Sequence, residues 1–385
     1  MTDRAVTTSK LPDVGTSIFT VMSALANELG ADNLAQGFPE FDPDPWLKDR
    51  VNHYIQSGQN QYAPMMGTAA LRLAIQQKLA DLYGVSCNMD SEITITSGAT
   101  EALFAAIQCV VKAGDEVIMF DPAYDSYDPA VRLAGGKPIH IPLNQDDFGI
   151  NWETVRQHIS PRTKMIVINS PHNPTGVILT KDDLEQLAAL IKDTDIIVLS
   201  DEVYEHIIFD GEQHASVTQH PTLRQRSFVV SSFGKTYHMT GWKIGYCIAA
   251  PELMAEFRKL HQFITFSTST PMQLAIADMM SEQPDYAKSL ADFYQQKRDV
   301  FVSALQGSRF GIIPCYGTYF QLLDYSAISS DDDMTFTRWL TKEHGIATIP
   351  ISPFCVEPFE HKLIRCCFAK SEETLQSVGQ RLSKL

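Results

Sequence analysis

No run of apolar residues in this chain is long enough to cross a bilayer, and the stretch Met1 to Lys10 lacks the apolar core of a secretory signal. A membrane partner is therefore not expected, and a cytoplasmic location is. Positive charge is also scarce. Lys and Arg number 31 against 46 Asp and Glu, a net −15, which argues against a nucleic-acid surface. Small phosphate groups stay possible, because a few local donors decide their binding. The seven cysteines (Cys87, Cys109, Cys247, Cys315, Cys355, Cys366 and Cys367) are odd in number, scattered, and partly inside apolar runs. They read as buried free thiols, with neither a disulfide framework nor a metal site expected. Internal repeats and low-complexity tracts are missing. So are G-x-G-x-x-G and G-x-x-x-x-G-K-[ST], which disfavours dinucleotide and nucleoside triphosphate sites.

What is present is an ordinary globular composition, 44% apolar and 20% charged, in a chain of 385 residues that is too long for one small core. Strands are expected at 92–96, 116–120, 164–169, 195–200, 228–231 and 244–249. Helices are expected at 100–112 and 181–192. Continuous β-branched runs with helices between them indicate an α/β fold with a mainly parallel sheet, covered on both faces. From about Pro271 the pattern changes to helices at 272–280 and 285–305 around strands at 318–323 and 362–369, a smaller α+β unit. Asp331, Asp332 and Asp333 read as a solvated loop leading into a helix.

Between two apolar runs lies Ser-Ser-Phe-Gly-Lys-Thr-Tyr-His-Met-Thr-Gly-Trp-Lys, residues 231–243. A lysine flanked by buried strands is partly desolvated, which frees the neutral amine that attacks an aldehyde. Lys235 is thus a candidate for carbonyl chemistry, and Lys243, eight residues on, for holding an anion. Polar residues also follow four other expected strands, and ligands of open α/β sheets bind at those ends. Gly98, Ala99 and Thr100 open a helix whose N-terminus suits a phosphate, or simply begin an ordinary capped helix. Asp201 either caps a helix or pairs with the pyridine nitrogen of pyridoxal 5′-phosphate (PLP), keeping that ring an electron sink. Tyr204 and Asn173 offer hydrogen bonds to the phenolic oxygen of the same ring, and Tyr124 offers a face to stack on it. Arg365, in the apolar run 363–368, needs an anion: an internal carboxylate or that of an amino-acid substrate.

The pattern S-x-x-K-x(7)-K resembles the lysine tract of PLP-dependent class I aminotransferases of fold type I. Ala35-Gln36-Gly37-Phe38-Pro39, Asn60-Gln61-Tyr62-Ala63-Pro64, Asn173-Pro174-Thr175-Gly176, Asp201-Glu202-Val203-Tyr204 and Gly317-Thr318-Tyr319-Phe320 extend the likeness over nearly the whole chain. It is strongest to the bacterial methionine aminotransferase and kynurenine/glutamine aminotransferase branch. The resemblance implies a large PLP-binding domain (41–275) with a mainly parallel seven-stranded sheet, a small C-terminal domain (276–385), and an N-terminal arm (1–40) that partly joins the small one. It implies that Lys235 joins the cofactor covalently as a Schiff base and that Ser232 and Lys243 help hold its phosphate. Lys235, Asp201 and Tyr204 would act in catalysis. Gly37, Asn173 and Arg365 would meet the substrate. Tyr62 would reach the phosphate in a neighbouring subunit, and Phe266 would line that subunit's pocket, so a homodimer with shared sites is expected.

The implied reaction moves the amino group of an L-amino acid to a 2-oxo acid, with no metal. No second arginine stands opposite Arg365, which disfavours dicarboxylates. Ile18, Phe19, Phe38, Tyr62 and Phe266 suit methionine, phenylalanine, histidine or glutamine-like side chains; the resemblance puts methionine first and extends the range to kynurenine-like donors. A PLP-dependent β-lyase acting on cysteine conjugates or cystathionine would use the same carbanion. A PLP-sensing regulator would need a DNA-binding domain, for which the roughly forty residues ahead of the large domain are too few.

Overall fold

The computed structural model describes residues 8–357 and 361–385, so the first seven residues of the polar stretch Met1 to Lys10 lie outside the described residues. Strand β1 (Asp32–Asn33) is short and lies outside the large sheet. Strands β2 (Ile93–Thr96), β3 (Glu116–Asp121), β4 (Lys137–Pro142), β5 (Thr163–Asn169), β6 (Ile197–Asp201), β7 (Ser227–Ser232) and β8 (Gly245–Ala249) form one seven-stranded sheet. Their order is β2-β8-β7-β6-β5-β3-β4; only β8 runs antiparallel to its neighbours. Successive side chains of a strand point to opposite faces. Ile118 and Phe120 therefore join one apolar cluster, while Val117 and Met119 join the cluster on the other face. Both faces are buried, which is why the sequence shows continuous apolar runs rather than alternation.

Strands β9 (Gly311–Ile312), β10 (Phe320–Asp324), β12 (Ile349–Pro350) and β13 (Leu363–Cys367) form a smaller antiparallel sheet, ordered β12-β13-β10-β9. Strand β1 pairs in parallel with β11 (Ile346–Ala347), tying the N-terminal segment to the C-terminal region. A third large cluster, including Phe301, Tyr325, Phe336 and Phe368, packs against this sheet. Among the described residues no helix is long and apolar enough to cross a membrane.

Three expectations need correction. The seventh strand of the large sheet, β4, was not legible: as an edge strand it is largely half-exposed and lacks a continuous apolar run. The expected helix 285–305 is two helices, Asp285–Lys288 and Leu290–Ala304, joined at Ser289. The acidic triplet is only partly solvated. Asp332 caps the helix Asp333–His344, but Asp333 is buried and accepts from the backbone N–H groups of Ile351 and Ser352, both at 2.7 Å.

Candidate active site

Register brings the polar strand ends to one rim. Asn169 of β5 lies beside Asp201 of β6, which in turn lies beside Val230 of β7. Over this rim, closed on the far side by the small sheet, is a cavity of about 310 Å³. It is lined by Gly37, Gly98, Ala99, Thr100, Tyr124, Asn173, Asp201, Tyr204, Ser232, Lys235, Lys243 and Arg365. Tyr62 and Phe266 are not among its walls. They meet edge to face at 5.5 Å on the outside of the chain, 84% and 43% exposed. Of the apolar candidates, Phe19 and Phe38 line the cavity, while Ile18 packs in a cluster with Met22 and Phe354.

Lys235 rides on the short helix Phe233–Thr236, capped by the Ser232 hydroxyl, which accepts from the Gly234 N–H at 3.2 Å. A side chain at Gly234 would put its Cβ 2.9 Å from Thr240 Cα, so the chain returns close only because that position is glycine. Lys235 Nζ donates to the Gly37 carbonyl (3.0 Å) and to Tyr319 Oη (2.8 Å). Burial holds its ammonium well below the ordinary lysine range, at about 8, with Arg365 and Lys243 pushing the same way and Asp201 opposing. An appreciable fraction is therefore neutral amine near pH 7 to 8.

At the other end of the cavity Gly98, with φ of 73°, opens the helix Gly98–Val110, whose N-cap Ser97 gives no side-chain bond to the first turn. A Cβ at Gly98 would lie 3.2 Å from Lys243 Nζ. An ammonium thus faces a helix N-terminus with unpaired N–H groups, a combination suited to phosphate.

Asp201 is buried at the end of β6. Its Oδ2 accepts from Tyr127 Oη at 2.8 Å and its Oδ1 from the Val203 N–H at 3.3 Å. Burial raises its pKa from 3.8 to about 6, although both hydrogen bonds oppose the shift. The folded value lies above the unfolded one, so folding tightens the proton. That stabilisation is complete below about pH 4, is lost as pH rises through about 6, and amounts to about 3 kcal/mol. Asp201→Asn should flatten this loss in the ligand-free protein. Urea unfolding of both proteins between pH 4 and 7 checks it, and equal slopes would contradict it.

Arg365 sits in β13 between β10 and β12, with no exposed surface. Among the described residues no carboxylate lies within ion-pair distance of it, so none of them is the internal partner that the sequence left open. Its Nη1 donates to Asn173 Oδ1 (2.8 Å), its Nη2 to the Ala35 carbonyl (3.2 Å), and its Nε has no partner. The guanidinium lies over the Phe320 ring at 3.8 Å and the Phe19 ring at 5.0 Å. Burial lowers its pKa. A buried cation of this kind has hydrogen-bonding capacity left for an anion.

Tyr124 meets Tyr127 edge to face at 5.6 Å, and burial pushes its hydroxyl up to about 12. Tyr204 is buried, edge-on to Tyr319 at 5.2 Å. Sequence reasoning missed Tyr319, Asn169, Ser23 and Gln36. Asn169 Oδ1 accepts from the Asn173 N–H and its Nδ2 donates to the Asp201 carbonyl, both at 2.9 Å. Its place at the end of β5, one residue before the Ser-Pro-His-Asn-Pro tract, was the available signal.

A family model described as "Aminotransferase class I and II" matches residues 32–382. A methionine aminotransferase of Escherichia coli (strain K12) is 54% identical over 377 residues, 98% of either chain. A kynurenine–oxoglutarate transaminase of Dictyostelium discoideum is 34% identical, covering 96% of this chain and 94% of its own. Among solved structures, an Escherichia coli protein identified as having a methionine aminotransferase function matches with a TM-score of 0.97. It is 53% identical, and the match covers 99% of this chain and 100% of that one.

Proposed function

The chain belongs to the class I and II aminotransferase family, and on that premise we propose that it transfers the amino group of an L-amino acid, methionine first, to a 2-oxo acid, with Lys235 as the covalent anchor of PLP. The observation that carries the residue assignment is one cavity lined by a desolvated amine, a buried carboxyl, and a buried arginine with no carboxylate partner among the described residues.

The donor set fits PLP. The helix N-terminus at Gly98, with Lys243 and the Ser232 hydroxyl, is suited to hold the phosphate. Asp201 is suited to a ring nitrogen that carries a proton, because a cationic partner relieves the cost of its buried charge. When bound, PLP supplies a ring that takes up the electron pair left when the amino acid loses its Cα proton. Arg365 receives the substrate carboxylate, to which its fork can present two parallel N–H groups. Since Asn173 Oδ1 already accepts from Arg365, its Nδ2 is the end left to donate to the cofactor's phenolic oxygen, beside Tyr204. Lys235, once released, would take the proton from Cα and return it to the carbon beyond the shared nitrogen, two atoms further along.

Methionine as donor is supported by the names of the Escherichia coli relatives and by the lining. Beyond Arg365, Lys235 and Lys243 no cation lines the cavity, whereas Phe19, Phe38 and Phe320 do, so a second carboxylate finds no partner. The exposed Tyr62, Phe263 and Phe266 support a homodimer in which these aromatics cover the neighbouring subunit's site. Free thiols at all seven cysteines support a reducing, cytoplasmic setting. A panel of amino donors against several 2-oxo acids, run on protein shown to be dimeric by light scattering, tests the reading. Methionine should exceed aspartate in kcat/KM by at least about tenfold. A preference for aspartate would sink it.

A further inference from the structure

We propose that Tyr319 is a positioning residue for Lys235, forming with the Gly37 carbonyl the seat that receives the lysine amine whenever substrate has displaced it from the cofactor. The inference rests on the reading of Lys235 as the covalent anchor.

Three hydrogen bonds close a triangle. Lys235 Nζ donates to Tyr319 Oη (2.8 Å) and to the Gly37 carbonyl (3.0 Å), and Tyr319 Oη donates to the same carbonyl (2.7 Å). A tyrosine has one hydroxyl proton. Because that proton goes to Gly37, the lone pairs of the oxygen are turned toward the amine. Burial keeps the phenol protonated, with its pKa well above 10. The ring is held in place, edge-on to Tyr204 at 5.2 Å and against Tyr294 at 5.5 Å.

The backbone also points to a dedicated arrangement. Thr318 has φ of 69°, a left-handed conformation that a β-branched residue rarely adopts and that clusters at functional sites. Side chains of adjacent residues in a regular strand would face opposite ways. Beyond the turn at Thr318, Phe320 lines the cavity under Arg365 at 3.8 Å, while the buried Tyr319 brings its hydroxyl to Lys235 from behind the cavity wall. Phenylalanine would keep the ring packing at 319; the hydroxyl bonds the amine and Gly37, and it also interacts with the Tyr204 hydroxyl beside it. A released lysine with no such seat would sample many rotamers, and each proton transfer would wait for the right one.

Tyr319→Phe tests this in two ways. In the cofactor-free variant the titration of Lys235, followed by its acylation rate against pH, should move down by about half a unit to one unit, because an acceptor for the ammonium is lost. The charged and titratable groups facing the amine, Asp201, Lys243, Arg365, Cys367 and Tyr204, are unchanged. In the holoenzyme kcat should fall about 10- to 100-fold while KM for the amino donor stays within about threefold. A titration midpoint and kcat equal to those of the wild type would overturn the proposal. Borohydride reduction of the wild type, followed by peptide mapping, separates the two readings. Cofactor fixed anywhere but on Lys235 removes the anchor and this inference with it, whereas cofactor on Lys235 beside an unaffected variant removes the inference alone.

Discussion

Lys235→Ala is expected to lower transamination by about 10⁴-fold or more, because one side chain supplies both the covalent attachment and the proton transfer. The two losses separate in the spectrum. The variant should still take up PLP through the helix N-terminus at Gly98 and through Asp201, but without the absorbance of a lysine-bound cofactor. Its fold should be unharmed, since the mutation removes a partly desolvated cation that gains no ion pair in return. Initial rates and absorption spectra of purified variant check this. Retention of more than about one per cent of wild-type turnover would exclude Lys235 as the base.

Arg365→Met should move activity and stability in opposite directions. The amino-acid carboxylate loses a charge-assisted, two-pronged partner that is itself buried, so kcat/KM should drop by about 10² to 10³. Stability should rise or hold, because folding buries this guanidinium with an unpartnered Nε and, among the described residues, no carboxylate. Apolar replacements of buried charges are often neutral, or stabilising by about 1–4 kcal/mol. Methionine also suits the space between Phe19 and Phe320. Thermal unfolding beside donor kinetics checks both halves. A variant that is clearly destabilised and equally inactive would show that Arg365 holds the fold and leave its substrate role unsupported. The pattern expected is that of a site which keeps a costly group for function.

Much of this was legible in the chain. Strands buried on both faces announce themselves by unbroken β-branched runs, and the polar residues that follow them mark the rim of an α/β sheet. Edge strand β4 escaped because half-exposed positions dilute that signal, and the break at Ser289 escaped because the apolar periodicity barely changes across it. Tyr319 escaped for a different reason. It lies in a tract that carries the resemblance, but its side chain reads there as core, and nothing marks Thr318 as left-handed, since that conformation is normally signalled by glycine. Tyr62 and Phe266 carry the family's motif, yet within one chain they meet each other rather than the cavity.

The contacts around Asn173 carry a consequence for alignment. Arg365 Nη1 holds Asn173 Oδ1, the Asn173 N–H is held by Asn169 Oδ1, and Asn169 Nδ2 holds the Asp201 carbonyl. Each link has a fixed polarity, because neither amide can turn over without setting donor against donor or acceptor against acceptor. The small sheet is thereby indexed to the large one through a ruler of two asparagines, whose ends are the group proposed to grip the substrate and the group proposed to govern the ring. Slippage of one sheet over the other by even a fraction of a hydrogen-bond length would be read at both ends together, so the two grips stay in step.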